Sequence, residues 1–274
     1  MSFTIKVANS KILKGIVETL AGIVDETQFR ASPHEFVVDA MDPGRVCMVR
    51  LAIKKQHFDE YKCVAKESKV GVNLEDLDKI LKRSSANDSV ELDFNAKEQK
   101  IKVKMKRDGS SRTRTFSLAA ITTEIAEVPL DSLLEMEYAS KWEMDPDFLS
   151  DAVKDAEIYS DALTVKVVEG KLLTFTSIGQ IGEMTCELEV AELPEHTISG
   201  TDSGTFSLSF LKAILKIASI TERLEMAVKT DHPLKLSIDL IEGGQVLYYL
   251  APQVNDATPE GIDDEALSEI EQEQ

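Results

Sequence analysis

Phe3, Ile5 and Val7 alternate with polar residues, the two-residue period of a half-buried strand. Behind them Ile12, Leu13, Ile16 and Val17 recur at helical spacing, with Ser10 placed as an N-cap, so a helix is expected to about Val24. Phe36 to Ile53 holds two strand-like runs around the turn signal Asp42-Pro43-Gly44. Asn73 is expected to cap a second helix that ends near Ser84 to Asn87. Val90 to Phe94 and Ile101 to Met105 alternate as strands, and Asp108-Gly109 turns the chain into a further strand, Arg112 to Phe116. Glu169-Gly170 and Glu242-Gly243-Gly244 punctuate similar hairpins later.

The later pattern repeats the earlier one. Leu74, Leu77, Ile80, Leu81 and Lys82 match Leu208, Leu211, Ile214, Leu215 and Lys216 at a shift of 134. Ile101, Val103 and Met105 match Leu236, Ile238 and Leu240 at 135, and Ile12 to Val17 matches Phe148 to Val153 at 136. Two copies of one unit follow, each with two helices and several antiparallel strands. The fold class is therefore α+β, with helices on one face of antiparallel sheets. Residues 1–117 form the first unit and 137–252 the second. Residues 118–136, rich in acids and without a base, connect them. A connector of that length is usually functional or mobile.

The chain has 274 residues, with 49 acids against 31 bases and 43% apolar positions, enough for two cores. No apolar run approaches the ~20 residues of a membrane span, and Met1 to Ser10 lacks the apolar stretch of a signal peptide. Cys47, Cys63 and Cys186 are dispersed and odd in number, which fits reduced thiols better than a disulfide framework. Eight acids and no base lie in residues 253–274, leaving 31 bases against 41 acids in the body. That tail is expected to be solvated and disordered. Its stretch Ile262 to Ile270 carries the pattern of a short amphipathic helix.

No catalytic arrangement emerges. His34, His57, His196 and His232 are isolated, and no metal spacing, nucleophile elbow or phosphate-binding glycine loop is present. No cofactor or metal is expected. The helical bases are more informative. Lys79, Lys82 and Arg83 share one helix face, as do Lys212 and Lys216 in the repeat mate. Lys11 and Lys14 lie on the first helix and Lys154 on its mate. A solvated outer face would explain each alone. If the helices share one side of the sheets, the eight cations make one basic surface suited to phosphates.

Several motifs resemble the proliferating cell nuclear antigen family of DNA sliding clamps, archaeal in type. They are Phe58-Asp59-Glu60-Tyr61-Lys62-Cys63, Gly71-Val72-Asn73-Leu74 with Lys79-Ile80-Leu81-Lys82, and Ala40-Met41-Asp42-Pro43-Gly44-Arg45-Val46. Near the end stand His232-Pro233-Leu234 and Tyr248-Tyr249-Leu250-Ala251-Pro252. Arg45 stands where many eukaryotic members have His, and Ala21 where Lys is frequent. The resemblance implies a trimeric ring, of one chain or with paralogues, around double-stranded DNA read without base specificity, located in the cytoplasm on the chromosome (nuclear in a eukaryote). It implies no catalysis and no membrane. Partners would be DNA polymerase, the clamp loader, flap endonuclease and DNA ligase. Each would carry a peptide with a Gln, an aliphatic and two aromatics. The docking walls it implies are Met41, Arg45, Val46, Leu130, Leu133, Pro233, Tyr249, Leu250, Ala251 and Pro252. The subunit edges it implies are Ser111 to Ser117 and the region Thr174 to Leu188, with Arg112 and Arg114 facing Glu183 and Glu187. Two other classes compete: an enzyme with an unrecognised carboxylate site, and a protein-only adaptor of two α+β units.

Overall fold

The computed structural model describes residues 2–121, 128–241 and 243–253. The expectations for the tail beyond residue 253 and for residues 122–127 of the connector lie outside the described residues.

The alternating run at the start forms β1 (Phe3–Val7), with Phe3, Ile5 and Val7 buried. Helix α1 spans Ser10–Ala21. Its cap is Asn9 rather than Ser10: the Asn9 carboxamide accepts from the Lys11 N–H at 2.9 Å. Ser10 turns inward and donates to the Ser85 carbonyl at 2.7 Å. The helix stops three residues before Val24, at Gly22, where a Cβ would stand 3.2 Å from that of Ala213. Next come β2 (Glu26–Ala31), β3 (Glu35–Met41) and β4 (Cys47–Lys54). β5 (Glu60–Cys63) and β6 (Ser68–Asn73) lead into α2 (Leu74–Leu81), capped by Asn73 as expected. β7 (Asp88–Asn95), β8 (Lys100–Arg107) and β9 (Thr113–Ala119) close the unit, turning at Gly109 with φ 68°.

Within the connector, α3 (Asp131–Leu134) is a single turn. The second unit repeats the order: β10 (Ser140–Met144), α4 (Pro146–Ala156), β11 (Ala162–Val168), β12 (Leu172–Gly179) and β13 (Gly182–Glu189). It continues with β14 (His196–Thr197), β15 (Thr201–Ser207), α5 (Leu208–Leu215), β16 (Thr221–Val228), β17 (Leu234–Leu240) and β18 (Gln245–Leu250).

Three antiparallel sheets result. Five strands run β5-β1-β7-β8-β9, and four run β13-β12-β11-β15. The third sheet crosses the two units in the order β14-β10-β16-β17-β18-β4-β3-β2-β6. Its seam is the β18–β4 ladder, with Val246 opposite Leu51 and Tyr248 opposite Val49. Five strands of one unit thus join four of the other. The helices contact one another in the sequence α2–α1–α5–α4, a continuous layer over the core.

Candidate functional site

The outer face of the nine-stranded sheet carries a small apolar cluster apart from the main core. Met48, Leu130 and Tyr249 are buried in it, with Met41, Val128, Leu133 and Leu247 packed around them. Strand alternation aims Met41, Met48, Leu247 and Tyr249 outward, and the connector lays Val128, Leu130 and Leu133 over them. Val46 and Leu134 stay 36% and 43% exposed nearby. The turn before β4 is held by Asp42, whose carboxylate accepts from the N–H groups of Gly44, Val46 and Cys47 at 2.8, 2.7 and 2.6 Å. Arg45 sits in this turn at φ 57°, exposed. Lys235 places its ammonium 6.0 Å from the Tyr249 ring centroid. The Tyr249 hydroxyl is buried and has no hydrogen-bond partner among the described residues. Tyr138 donates to the Pro233 carbonyl at 2.7 Å, fixing that rim. Ala251 donates its N–H to the Val46 carbonyl at 2.8 Å, and Pro252 is half-buried beside it.

Leu250 does not belong with these walls. It is fully buried in the main core, opposite Leu234 and Cys47, because it follows the outward Tyr249 by one position. Met48, Val128 and Leu247 join the cluster without having been singled out in the sequence. Leu247 and Met48 alternate in phase with Tyr249 and Met41 along their strands, which is the signal that marks them.

Three strands of seven or eight residues end a sheet with no further strand partner among the described residues: β9, β13 and β15, of which β15 already accepts the Gln253 N–H at the Thr205 carbonyl. Strands β9 and β13 overlap the two expected edges, although the second expected range also takes in β12, an interior strand. Phe116 and Leu118 on β9, and Met184, Cys186 and Leu188 on β13, are half-buried on the core side. Arg114 shares that side. It bonds Asp88 at 2.7 Å and the Arg83 carbonyl at 2.9 Å. Arg107 approaches the same carboxylate at 3.5 Å. The Ser85 N–H, then Arg107 and Arg114, hold the buried Asp88 carboxyl below its ordinary range. Glu183 and Glu187 lie on the opposite, exposed face of β13. Arg114 therefore does not face them, and the expected charge pairing across these edges is not supported by the geometry. Arg112 is exposed before β9 begins.

The eight helical cations do lie on one layer, and all but the half-buried Lys14 are exposed. The layer is not basic, however. Lys79 pairs with Glu75 at 2.6 Å, Lys82 with Asp78 at 2.6 Å and Lys154 with Asp151 at 2.8 Å; Lys212 reaches Glu157. Glu18, Glu75, Asp76, Asp78, Asp147, Asp151, Asp155 and Glu157 balance the eight bases one for one. Lys11, Lys14, Arg83 and Lys216 make no ion pair among the described residues. Three of these four sit on α1 and the end of α5, the helices at the β18–β4 seam.

The family models for the N-terminal and C-terminal domains of proliferating cell nuclear antigen match residues 2–127 and 132–253. The chain is 32% identical to the DNA polymerase sliding clamp of Thermofilum pendens over 88% of its length and 95% of that protein. It is 30% identical to the clamp of Methanothermobacter thermautotrophicus, over 92% and 98%. A PCNA2–PCNA3 complex from Sulfolobus tokodaii superposes with a TM-score of 0.81 at 28% identity, covering 91% of this chain and 99% of that one. PCNA from Thermococcus kodakaraensis gives 0.80 at 23% identity, over 92% and 100%, a likeness of fold. The duplicated α+β units, the open strand edges and these matches agree: the chain belongs to the proliferating cell nuclear antigen family, the DNA polymerase sliding clamps.

Proposed function

We propose that the chain closes into a trimeric ring around duplex DNA, with β9 of each subunit pairing β13 of the next. The observation that carries this is the internal seam. Strand β9 holds in the first unit the place of β18 in the second, and β13 that of β4. In the repeat, Val103 matches Ile238, so their neighbours Phe116 and Val246 match. Likewise Val38 opposite Leu51 matches Phe175 opposite Cys186. Since Val246 lies opposite Leu51 within the chain, Phe116 falls opposite Cys186 between subunits. Leu118 then meets Met184, and Arg114 meets Leu188. Five strands join four, as they do inside the subunit, and the half-buried side chains of both edges are covered.

The helix layer faces the DNA and touches phosphates without reading bases. A topological link of this kind raises the effective concentration of a bound enzyme at its template. The outer cluster under the connector receives the peptide of a partner enzyme: a polymerase, clamp loader, flap endonuclease or ligase. Aromatic anchors in such a site contribute about 2 kcal/mol or more each. The ring itself has no catalytic role and works on the chromosome in the cytoplasm. The connector is taken as 118–136, between clamp domains 1–117 and 137–252. The test is a Phe116→Cys variant under mild oxidation. It should cross-link to the native Cys186 of a second copy, giving covalent multimers on a non-reducing gel. Monomers alone would reject the register, and a monomeric mass for the unmodified protein would reject the ring.

A further inference from the structure

The outer apolar cluster has an occupant in the chain's own sequence. The last described residues are pinned beside it: Ala251 donates to the Val46 carbonyl at 2.8 Å, and Gln253 to the Thr205 carbonyl at 2.7 Å. Residues 254–274 therefore start at the rim of the cluster. They carry eight acids and no base. At the sheet side of the cluster stand two cations without a carboxylate partner among the described residues, Arg45 and Lys235. Ile262, Ala266, Leu267 and Ile270 recur at i, i+4, i+5 and i+8, the apolar stripe of a helix laid in a groove. Ile262 is nine residues past Gln253, a span of at most ~30 Å of extended chain.

The helix layer is the other surface open to an acidic tail, but its eight bases are balanced in number by eight acids, and four of the bases are held in ion pairs. We propose that residues 254–274 fold back over the Met41–Tyr249 cluster in cis, through the Ile262–Ile270 stripe and the Arg45 and Lys235 charges, so that a partner peptide must displace them. This rests on reading that cluster as the docking site. The contact need not be strong. A segment tethered by a short linker has an effective concentration of order millimolar, so a contact with a dissociation constant of about 0.1–0.5 mM lowers peptide affinity about threefold to tenfold.

Calorimetry with a flap-endonuclease C-terminal peptide tests it on the full chain, on a chain cut after Gln253, and on an Ile262→Ser/Ile270→Ser variant that keeps every acid. The cut chain should bind about threefold to tenfold tighter than the full chain, and the double variant should recover most of that gain. Added salt should narrow the difference, because the rim charges contribute to closure. Equal affinity in all three chains overturns the tail proposal while leaving the docking site intact. No binding to any of them overturns the docking reading itself. A cut that alters retention on DNA but not peptide affinity places the tail on the helix layer and overturns the proposal as well.

Discussion

The two kinds of strand edge in this subunit are repeats of each other with opposite fates. At the internal seam Leu51, Val49, Val246 and Tyr248 are each no more than 2% exposed. Their counterparts Cys186, Met184, Phe116 and Leu118 occupy the same positions in the repeat but remain half-exposed. The internal seam is sealed by the chain's own connectivity, so it tolerates large aromatic and aliphatic residues without risk. The open edge must stay soluble while unpaired, and it alternates its apolar positions with Thr113, Thr115, Ser117, Glu183, Thr185 and Glu187. One fold unit is thus permanently sealed in one place and, in the proposed ring, would be covered only by a second copy in the other.

Breaking that contrast gives the largest expected effect. Leu51→Ala at the sealed seam should cost about 2–5 kcal/mol of stability, as a cavity in a closed core does. Met184→Glu at the open edge, where Met184 is the counterpart of Val49 beside Leu51, should leave thermal unfolding nearly unchanged but bury a carboxylate if the ring closes. Its expected readout is a monomeric mass by light scattering at concentrations where the wild type is a trimer. A Met184→Glu protein of trimeric mass would show that β13 is not the contact strand.

A finer test concerns the ion cluster behind β9. Asp88 is buried, and its carboxyl is held below its ordinary range by the Ser85 N–H and by Arg107 and Arg114. A depressed carboxyl stabilises the fold fully above its unfolded pKa, about 3.9. That contribution is lost as pH falls through the lower folded value. Acid titration of the wild type should therefore show stability declining below about pH 4. Asp88→Asn should be less stable at neutral pH, and its acid-dependent decline should be shallower. An unchanged acid profile in Asp88→Asn would mean that other carboxylates govern it. Arg114 is tied into this cluster, so reversing its charge would disturb β9 itself and is a poor probe of the subunit contact.

Much of this was readable from the sequence because it is written in periodicity. The duplication, the capping by Asn73 and the Asp108-Gly109 hairpin all follow from spacing, whereas the two subunit edges were expected only from the family resemblance. Phase is harder. Tyr248, Tyr249 and Leu250 are all apolar, so nothing in the run tells which one faces out, and Leu250 falls in the core rather than the docking wall. Ser10 and Asn9 are both good caps, and only the demand of the Ser85 carbonyl decides between them. The neutrality of the helix layer was legible in principle. Glu75–Lys79 and Asp78–Lys82 are i, i+4 pairs, and Asp151–Lys154 is i, i+3. The bases of these helices describe the surface only when their acids are counted beside them.

That neutrality sharpens the contrast between the two seams at its smallest scale. The helices at the open edge, α2 and α4, hold Lys79, Lys82 and Lys154 in ion pairs. Those at the sealed seam carry Lys11, Lys14 and Lys216 without an ion pair among the described residues, although Lys212 on α5 reaches Glu157 and Arg83, just past α2, is unpaired as well. A cation already matched by a carboxylate releases fewer counterions when a phosphate arrives, because the carboxylate must be displaced or left facing DNA. Each free cation that meets a phosphate adds about 0.9 to the slope of log K against log salt. Lys11→Ala/Lys14→Ala should therefore lower that slope by up to about 2 for each subunit that engages DNA. Lys79→Ala/Lys82→Ala should lower it by clearly less, since two acids are unmasked as two bases go. Equilibrium binding of the assembled ring to circular duplex, across a salt series, measures both. If the two pairs lower the slope equally, the ion pairs of α2 open on DNA and all eight cations act alike. If only Lys11 and Lys14 matter, the ring rests on DNA through the helices of its sealed seams.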